Sequence, residues 1–134
     1  MRVHDRFLLP LFGLTIWILG TVYYEIRGAT ILETSSLRYW VNFILAPIVS
    51  SIVSIFFLKW RHIPAPEWAS AALLIALPGM FGEAVLFSRF AALMPRMQPA
   101  SAGRYGAFLF LSYAIFLTIS EVVTLRAAAM AIAR

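Results

Sequence analysis

The stretch YWVNFILAPIVSSIVSIFFL, Tyr39 to Leu58, runs for twenty residues without a charged side chain. About 20 predominantly apolar residues are needed for a helix to cross the hydrocarbon core of a bilayer, so the stretch predicts a membrane-spanning helix. Pro47 lies inside it and removes one backbone hydrogen bond. Small and hydroxyl side chains fall on the same side as Pro47, which favours a helix-packing face, with a polar pathway as the alternative. They are Ala46, Ser50 and Ser54.

The composition extends this prediction to the whole chain. Of 134 residues, 62% are hydrophobic and only 13% are charged, with a mean hydropathy of +0.86. A soluble domain carries about 25% charged residues, so this composition predicts a protein that is embedded in a bilayer. Further apolar runs lie at about residues 7–24, 69–94 and 105–125. We therefore predict an all-α integral membrane bundle of four transmembrane helices, with residues 1–134 as a single domain.

Several kinds of site are excluded by the residue content. The chain has no cysteine, so disulfides and thiolate metal sites are ruled out. Its two histidines, His4 and His62, lie outside the predicted spans, and the sequence contains no HExxH, P-loop or GxSxG motif. We expect no enzyme activity, no cofactor and no metal site.

The net charge is +5, and the distribution of the basic residues favours contact with lipid headgroups over binding of nucleic acid. Basic residues lie in short loops and at the ends of apolar runs, where they can contact lipid phosphates. Six lie on the side of the two termini and four on the opposite side, with Arg89 left aside. This bias predicts cytoplasmic termini in a bacterial inner membrane. The apolar N-terminus lacks a small-residue cleavage site, so we expect it to be retained as the first helix.

The segment LPGMFGEAVLF, Leu77 to Phe87, places a carboxyl group inside the third predicted span. A charge near the bilayer centre costs about 2.5–3.5 kcal/mol on insertion scales, so Glu83 is a candidate functional residue. Pro78 and Gly79 supply a bend, and Gly79 shares a helix face with Glu83. Glu83 is then either protonated or paired with a donor. The open alternatives are a hydrogen bond to a neighbouring helix, a proton- or ligand-binding group, and a contact with another subunit.

A second acidic residue lies near the end of the fourth predicted span. Glu121 stands at the edge of a stripe that contains Tyr113, Leu117, Ser120 and Thr124. It could extend to the interface towards Arg126, or join Glu83 in a water-linked relay across roughly 10–15 Å of depth. The predicted proton- or ligand-binding set is therefore Glu83, Gly79, Pro78, Glu121 and Tyr113.

Arg89 is the basic residue inside the third predicted span. It lies six residues after Glu83 and points elsewhere around the helix, so the two do not form an intrahelical pair. We expect Arg89 to pair with Glu25 at the far end of the first span, or to extend outward to the headgroups.

Three stretches together resemble a family of small bacterial membrane proteins catalogued as domain of unknown function 5367. They are FGLTIWILGTVYYEIRG (12–28), PGMFGEAVLFSRF (78–90) and YGAFLFLSYA (105–114). The resemblance implies four helices and a carboxylate beside a Pro-Gly bend. It also implies aspartate at the position of Glu83 and arginine at that of Glu25, so this chain departs from the family at both. It brings no known activity.

Two functions fit the sequence. The first is a small transport or ligand- and proton-binding protein with Glu83 as its central group, working as a homo-oligomer. Its contacts would be the small faces at Gly13/Gly20 and Gly103/Ala107. The second is an accessory subunit of a larger membrane complex. Membrane lipids are expected partners in both cases, and nucleic acid in neither. A hydrated cavity at Glu83 would favour the first function.

Overall fold

The computed structural model describes residues 1–133, and this part of the chain forms helices without any strand. The helices are α1 (Val3–Leu32), α2 (Ser36–Trp60), α3 (Trp68–Ser88), the short α4 (Phe90–Leu93) and α5 (Ala102–Ile132). Short 3₁₀ turns, Ala65–Glu67 and Pro99–Ser101, lead into α3 and α5. α1, α2, α3 and α5 are each long and apolar enough to cross a membrane. The predicted all-α fold with four transmembrane helices is confirmed.

Three of the four long helices extend beyond the predicted spans. α1 continues eight residues past the predicted end at 24, to Leu32. α2 begins at Ser36, where the Ser35 hydroxyl accepts a hydrogen bond of 3.2 Å from the backbone N–H of Arg38. α5 continues to Ile132 because its last turns are rich in alanine, the strongest helix former.

The third predicted span, 69–94, is instead divided in two. α3 ends at Ser88, and Arg89 leaves the helical region with φ −133° and ψ 37° before α4 begins. Glu83 therefore lies five residues before the end of α3, about 8 Å along its axis, rather than at the middle of a long helix.

The four long helices do not pack evenly. α1 packs mainly against α3, α2 packs mainly against α5, and α3 also contacts α5, whereas α1 and α2 contact each other little. Gly13 brings α1 against α3, because a Cβ at this position would overlap the backbone carbonyl of Ile75. Glycine at such a position lets two helix backbones approach closely. The first two helices, although consecutive in the chain, are thus not a tightly packed pair.

Two clusters of buried apolar side chains stabilise the bundle, one towards each end. The cluster near the α1–α2 connection is largely aromatic and includes Tyr24, Leu32, Tyr39, Phe90, Tyr105 and Phe108. The cluster near the termini is mainly aliphatic and includes Leu9, Leu58, Ala71, Ala72, Ile75 and Phe116. The space between the two clusters is where the candidate site lies.

A buried ion pair fixes the terminal end of α1 to the residue that follows α2. Asp5 is only 2% exposed, and its Oδ1 accepts hydrogen bonds from Nε and Nη2 of Arg61 at 2.9 and 2.7 Å. Its Oδ2 accepts a third from the backbone N–H of Arg2 at 3.1 Å. The carboxyl is therefore fully engaged, and it holds the terminal ends of α1 and α2 together.

Candidate functional site

A side window opens between α1 and α2, bounded at both ends by contacts between the two helices. At one end the rings of Phe12 and Phe57 stack with centroids 3.7 Å apart. At the other end the Tyr24 hydroxyl donates a hydrogen bond of 2.7 Å to Oδ1 of Asn42. Tyr24 lies twelve positions after Phe12 on α1, so the window is about 18 Å tall.

Behind the window lies a cleft of about 980 Å³ that reaches all four long helices. Its rim carries exposed aliphatic side chains, Leu19 from α1 and Leu45, Val49 and Val53 from α2. Its floor is formed by α3 and α5. Ligand pockets of drug-sized molecules have volumes of about 300–1,000 Å³, so the cleft is large enough to hold one.

Glu83 lies on the floor of this cleft. Its residue surface is 8% exposed, and its Oε2 is buried without a hydrogen-bond partner among residues 1–133. Most buried polar groups in folded proteins are hydrogen-bonded, and each exception calls for an explanation. A buried acceptor that is left unpaired costs about 1–3 kcal/mol.

Several donors surround the Glu83 carboxyl group without satisfying it. The indole of Trp17 packs against Gly82, next to Glu83, and Tyr105 and Tyr113 line the same cleft. Trp17 Nε1 and Thr21 Oγ1 are also buried without a partner in the described chain. The cleft therefore holds a carboxyl group and a set of unpaired donors within an otherwise apolar lining.

Glycines on α3 explain how two aromatic side chains come so close to Glu83. A Cβ at Gly79 would overlap the hydroxyl of Tyr113, and a Cβ at Gly82 would overlap the indole ring of Trp17. Both aromatic groups rest directly on the α3 backbone. The two glycines of the segment PGMFG therefore have a packing role: they leave room for Tyr113 and Trp17 to contact the α3 backbone close to Glu83.

The structure brings together some of the predicted site residues and separates others. Glu83, Gly79 and Tyr113 line the cleft, whereas Pro78 is half-buried beside it. Glu121 is exposed on α5 and does not line the cleft. The relay suggested between Glu121 and Glu83 is therefore corrected, because the two side chains do not share a cavity.

The predicted pairing of Glu25 with Arg89 is also corrected. The Glu25 carboxylate lies 3.7 Å from Nε of Arg96, whereas Arg89 is exposed and forms no ion pair within residues 1–133. The reason is the break at Arg89, which turns the chain before Arg96 and brings the later arginine beside Glu25 on α1.

Three residues that line the cleft were not predicted from the sequence to belong to the site: Trp17, Thr21 and Asn42. A signal for the first two is present, because Trp17 and Thr21 lie four residues apart and so share a face of α1. Asn42 is the sole amide side chain in its apolar run. Such polar residues inside a span usually face the bundle or a wet cavity, as these do here.

Searches among curated proteins and among solved structures gave no match. A protein-family model, described as a family of unknown function (DUF5367), matches residues 31–127. The matched part contains Asn42, Glu83 and Tyr113, while Trp17 and Thr21 on α1 precede it. Because the match covers well over half of the 134 residues, this chain belongs to the family of unknown function DUF5367.

Proposed function

We propose that this protein binds a small ligand within the membrane and transports it, with Glu83 as the binding group and without catalysing a reaction. The observation that supports the proposal is a carboxyl group with an unpaired buried oxygen on the floor of a cleft of about 980 Å³. Intramembrane ionisable residues that face a cavity are typical of substrate and ion pathways.

The unpaired atoms favour this function over a purely structural role. A glutamate that served only to join helices would donate to, or accept from, a neighbouring helix, because polar side chains within membranes associate by such bonds. Here Glu83 Oε2, Trp17 Nε1 and Thr21 Oγ1 are all without partners in the described residues. A ligand, or water that enters with it, would satisfy these atoms.

The proposal includes a bacterial inner membrane with cytoplasmic termini, which the distribution of basic residues supports. It also includes a homo-oligomer. Gly13 is already used inside the bundle against α3, so it is not available for a contact between subunits. Gly103 and Ala107 remain exposed on α5 and could make such a contact.

A hydrophobic carbodiimide tests the proposal directly, because it modifies carboxyl groups that lie in apolar but accessible places. We expect dicyclohexylcarbodiimide to modify Glu83 in detergent-solubilised protein, with peptide mass spectrometry as the measurement. Glu83→Gln should abolish the modification, and Glu121→Gln is the matched control at an exposed position. Modification of other acids while Glu83 stays intact would show that the cleft does not admit small molecules, and the proposal would fail.

The second candidate is an accessory subunit, and the side window is the feature that favours it. The exposed aliphatic rim on α1 and α2 could receive a helix of a larger complex. Purification in mild detergent with measurement of native mass separates the two functions. A stable foreign partner that covers Glu83 supports the accessory role, and a homo-oligomer with reactive Glu83 supports transport.

A further inference from the structure

We propose that the ligand of the cleft is a lipophilic cation, an organic ammonium or phosphonium ion with an apolar body, and that it enters sideways from the lipid between α1 and α2. This inference rests on the proposed function, because it specifies the ligand for the same Glu83 site.

The charges that line the cleft favour a cation. Among residues 1–133, Glu83 is the acidic lining residue and Arg38 the basic one. Arg38 is exposed in the first turn of α2, one turn before Asn42, and forms no ion pair with Glu83. An ion that enters apolar surroundings requires a paired opposite charge. The carboxylate on the floor can supply that pairing to a cation but would repel an anion.

Aromatic rings beside Glu83 strengthen the preference. Trp17 and Tyr113 rest on the α3 backbone at Gly82 and Gly79, within one turn of Glu83, and Tyr105 lines the same cleft. A cation within about 6 Å of an aromatic ring face is stabilised by about 0.5–2 kcal/mol, most strongly by tryptophan. A carboxylate surrounded by aromatic side chains is therefore suited to a large cation of low charge density.

The rest of the lining requires that the cation carry an apolar body. Outside the polar group around Glu83, the cleft is lined mainly by aliphatic side chains and glycine, including Ile16, Gly20, Leu45, Val49 and Ile75. Burying apolar ligand surface against such a lining is favourable by about 25 cal/mol per Å². A small inorganic cation would leave most of this volume unfilled.

Packed side chains close the two ends of the cleft, so a ligand would enter most directly through the window between α1 and α2. Towards the α1–α2 connection, the rings of Tyr24, Tyr105 and Phe108 contact one another with centroids 4.9–5.4 Å apart. Towards the termini, Leu9, Leu58 and Phe116 are buried together. The rim of the window is apolar and lies midway along two helices that are apolar enough to cross a membrane, which suits a ligand that is dissolved in lipid.

Two ions of nearly the same shape and opposite charge provide the test. Tetraphenylphosphonium is the cation and tetraphenylborate the anion, each added to the detergent-solubilised protein before the carbodiimide. We expect the phosphonium to slow modification of Glu83 by about tenfold or more, and the borate by less than about twofold. Equal protection by both ions would overturn the preference for a cation.

Direct binding provides an independent measurement. Isothermal titration with tetraphenylphosphonium should give an affinity about tenfold weaker for Glu83→Gln than for the unchanged protein, while Glu121→Gln should have no effect. Circular dichroism and gel filtration would establish that each variant folds. If Glu83→Gln binds the phosphonium as tightly as the unchanged protein, the inference is wrong.

The route can be tested separately because the chain has no native cysteine. Leu19→Cys carries a thiol on the rim of the window, and Phe110→Cys carries one on the exposed side of α5. A bulky maleimide on the first should slow carbodiimide access to Glu83 severalfold, and on the second it should not. Equal rates would overturn the side entry. Failure to modify Glu83 in any variant would contradict the proposed function itself, whereas modification without protection by the cation would contradict only this inference.

Discussion

The hydroxyl of Tyr24 donates a hydrogen bond of 2.7 Å to Oδ1 of Asn42, and this bond joins α1 to α2 at one end of the side window. The stacked rings of Phe12 and Phe57 join the same helices at the other end. Since α1 and α2 otherwise contact each other little, apart from the Asp5–Arg61 pair at their terminal ends, we expect these two contacts to limit how far the window can open.

Removal of the Tyr24 hydroxyl should widen access to the cleft. Tyr24→Phe loses a hydrogen bond worth about 0.5–1.5 kcal/mol and leaves Asn42 Oδ1 without its donor. We expect Glu83 to react with the carbodiimide severalfold faster, with a small decrease in the midpoint of thermal unfolding. Tyr23→Phe is the matched control, because the adjacent Tyr23 is exposed and makes no side-chain hydrogen bond within residues 1–133. Identical rates for the two variants would show that the bond does not limit access.

A methyl group at Gly82 should displace Trp17. The new Cβ in Gly82→Ala would overlap several atoms of the indole ring, so the ring would have to move away from the α3 backbone. Overpacking of this kind costs about 1–3 kcal/mol. Thermal unfolding in detergent measures the loss, and Trp17 fluorescence in a variant that lacks the other tryptophans reports the displacement. Gly103→Ala meets open space and should be neutral or slightly stabilising, so equal effects in both variants would contradict the packing described.

Gly13→Ala should be more damaging than the change at Gly82. Its Cβ would meet the backbone carbonyl of Ile75, and backbone yields less readily than a side chain. We expect a decrease in the free energy of unfolding of about 3 kcal/mol or a failure to accumulate in the membrane. Gly20→Ala on the same helix meets no atom within 4 Å and is the control. A stable Gly13→Ala protein would show that α1 and α3 are not in such close contact.

Asp5→Asn should loosen the terminal end of the bundle. The substitution keeps the shape of the side chain but removes the charge that pairs with Arg61, and a hydrogen bond to a charged group contributes about 1.5–3 kcal/mol. We expect a loss of about 2 kcal/mol in unfolding free energy, measured by denaturant titration in detergent. Glu121→Gln removes an exposed charge and should cost much less. If both variants lose the same stability, the Asp5–Arg61 pair contributes nothing specific.

The number of membrane-spanning helices was predictable from the sequence, but their ends and the short α4 were not. Hydropathy detects the part of a helix that lies in hydrocarbon. The 20 uncharged residues from Tyr39 to Leu58, for example, are long enough for one complete crossing. Hydropathy does not detect helix that continues beyond the apolar run, as α1 does to Leu32 and α5 does to Ile132. The break at Arg89 has no proline or glycine to mark it.

The candidate site was predictable where its residues are local in sequence. Gly79 and Glu83 share a face of one helix, so their proximity follows from helix geometry. The approach of Trp17 from α1 to the same carboxyl group depends on how α1 crosses α3, which local sequence does not specify. The proposed pairing of Glu25 with Arg89 was wrong for a related reason, since the break in α3 places Arg96 there instead.

With entry between α1 and α2 as proposed, the bilayer rather than the surrounding water would be the reservoir from which an occupant of the cleft is drawn. Two compounds with the same intrinsic affinity for Glu83 would then differ in occupancy according to how well each partitions into the membrane. Lipid composition and acyl-chain order would affect binding without changing a single contact in the protein.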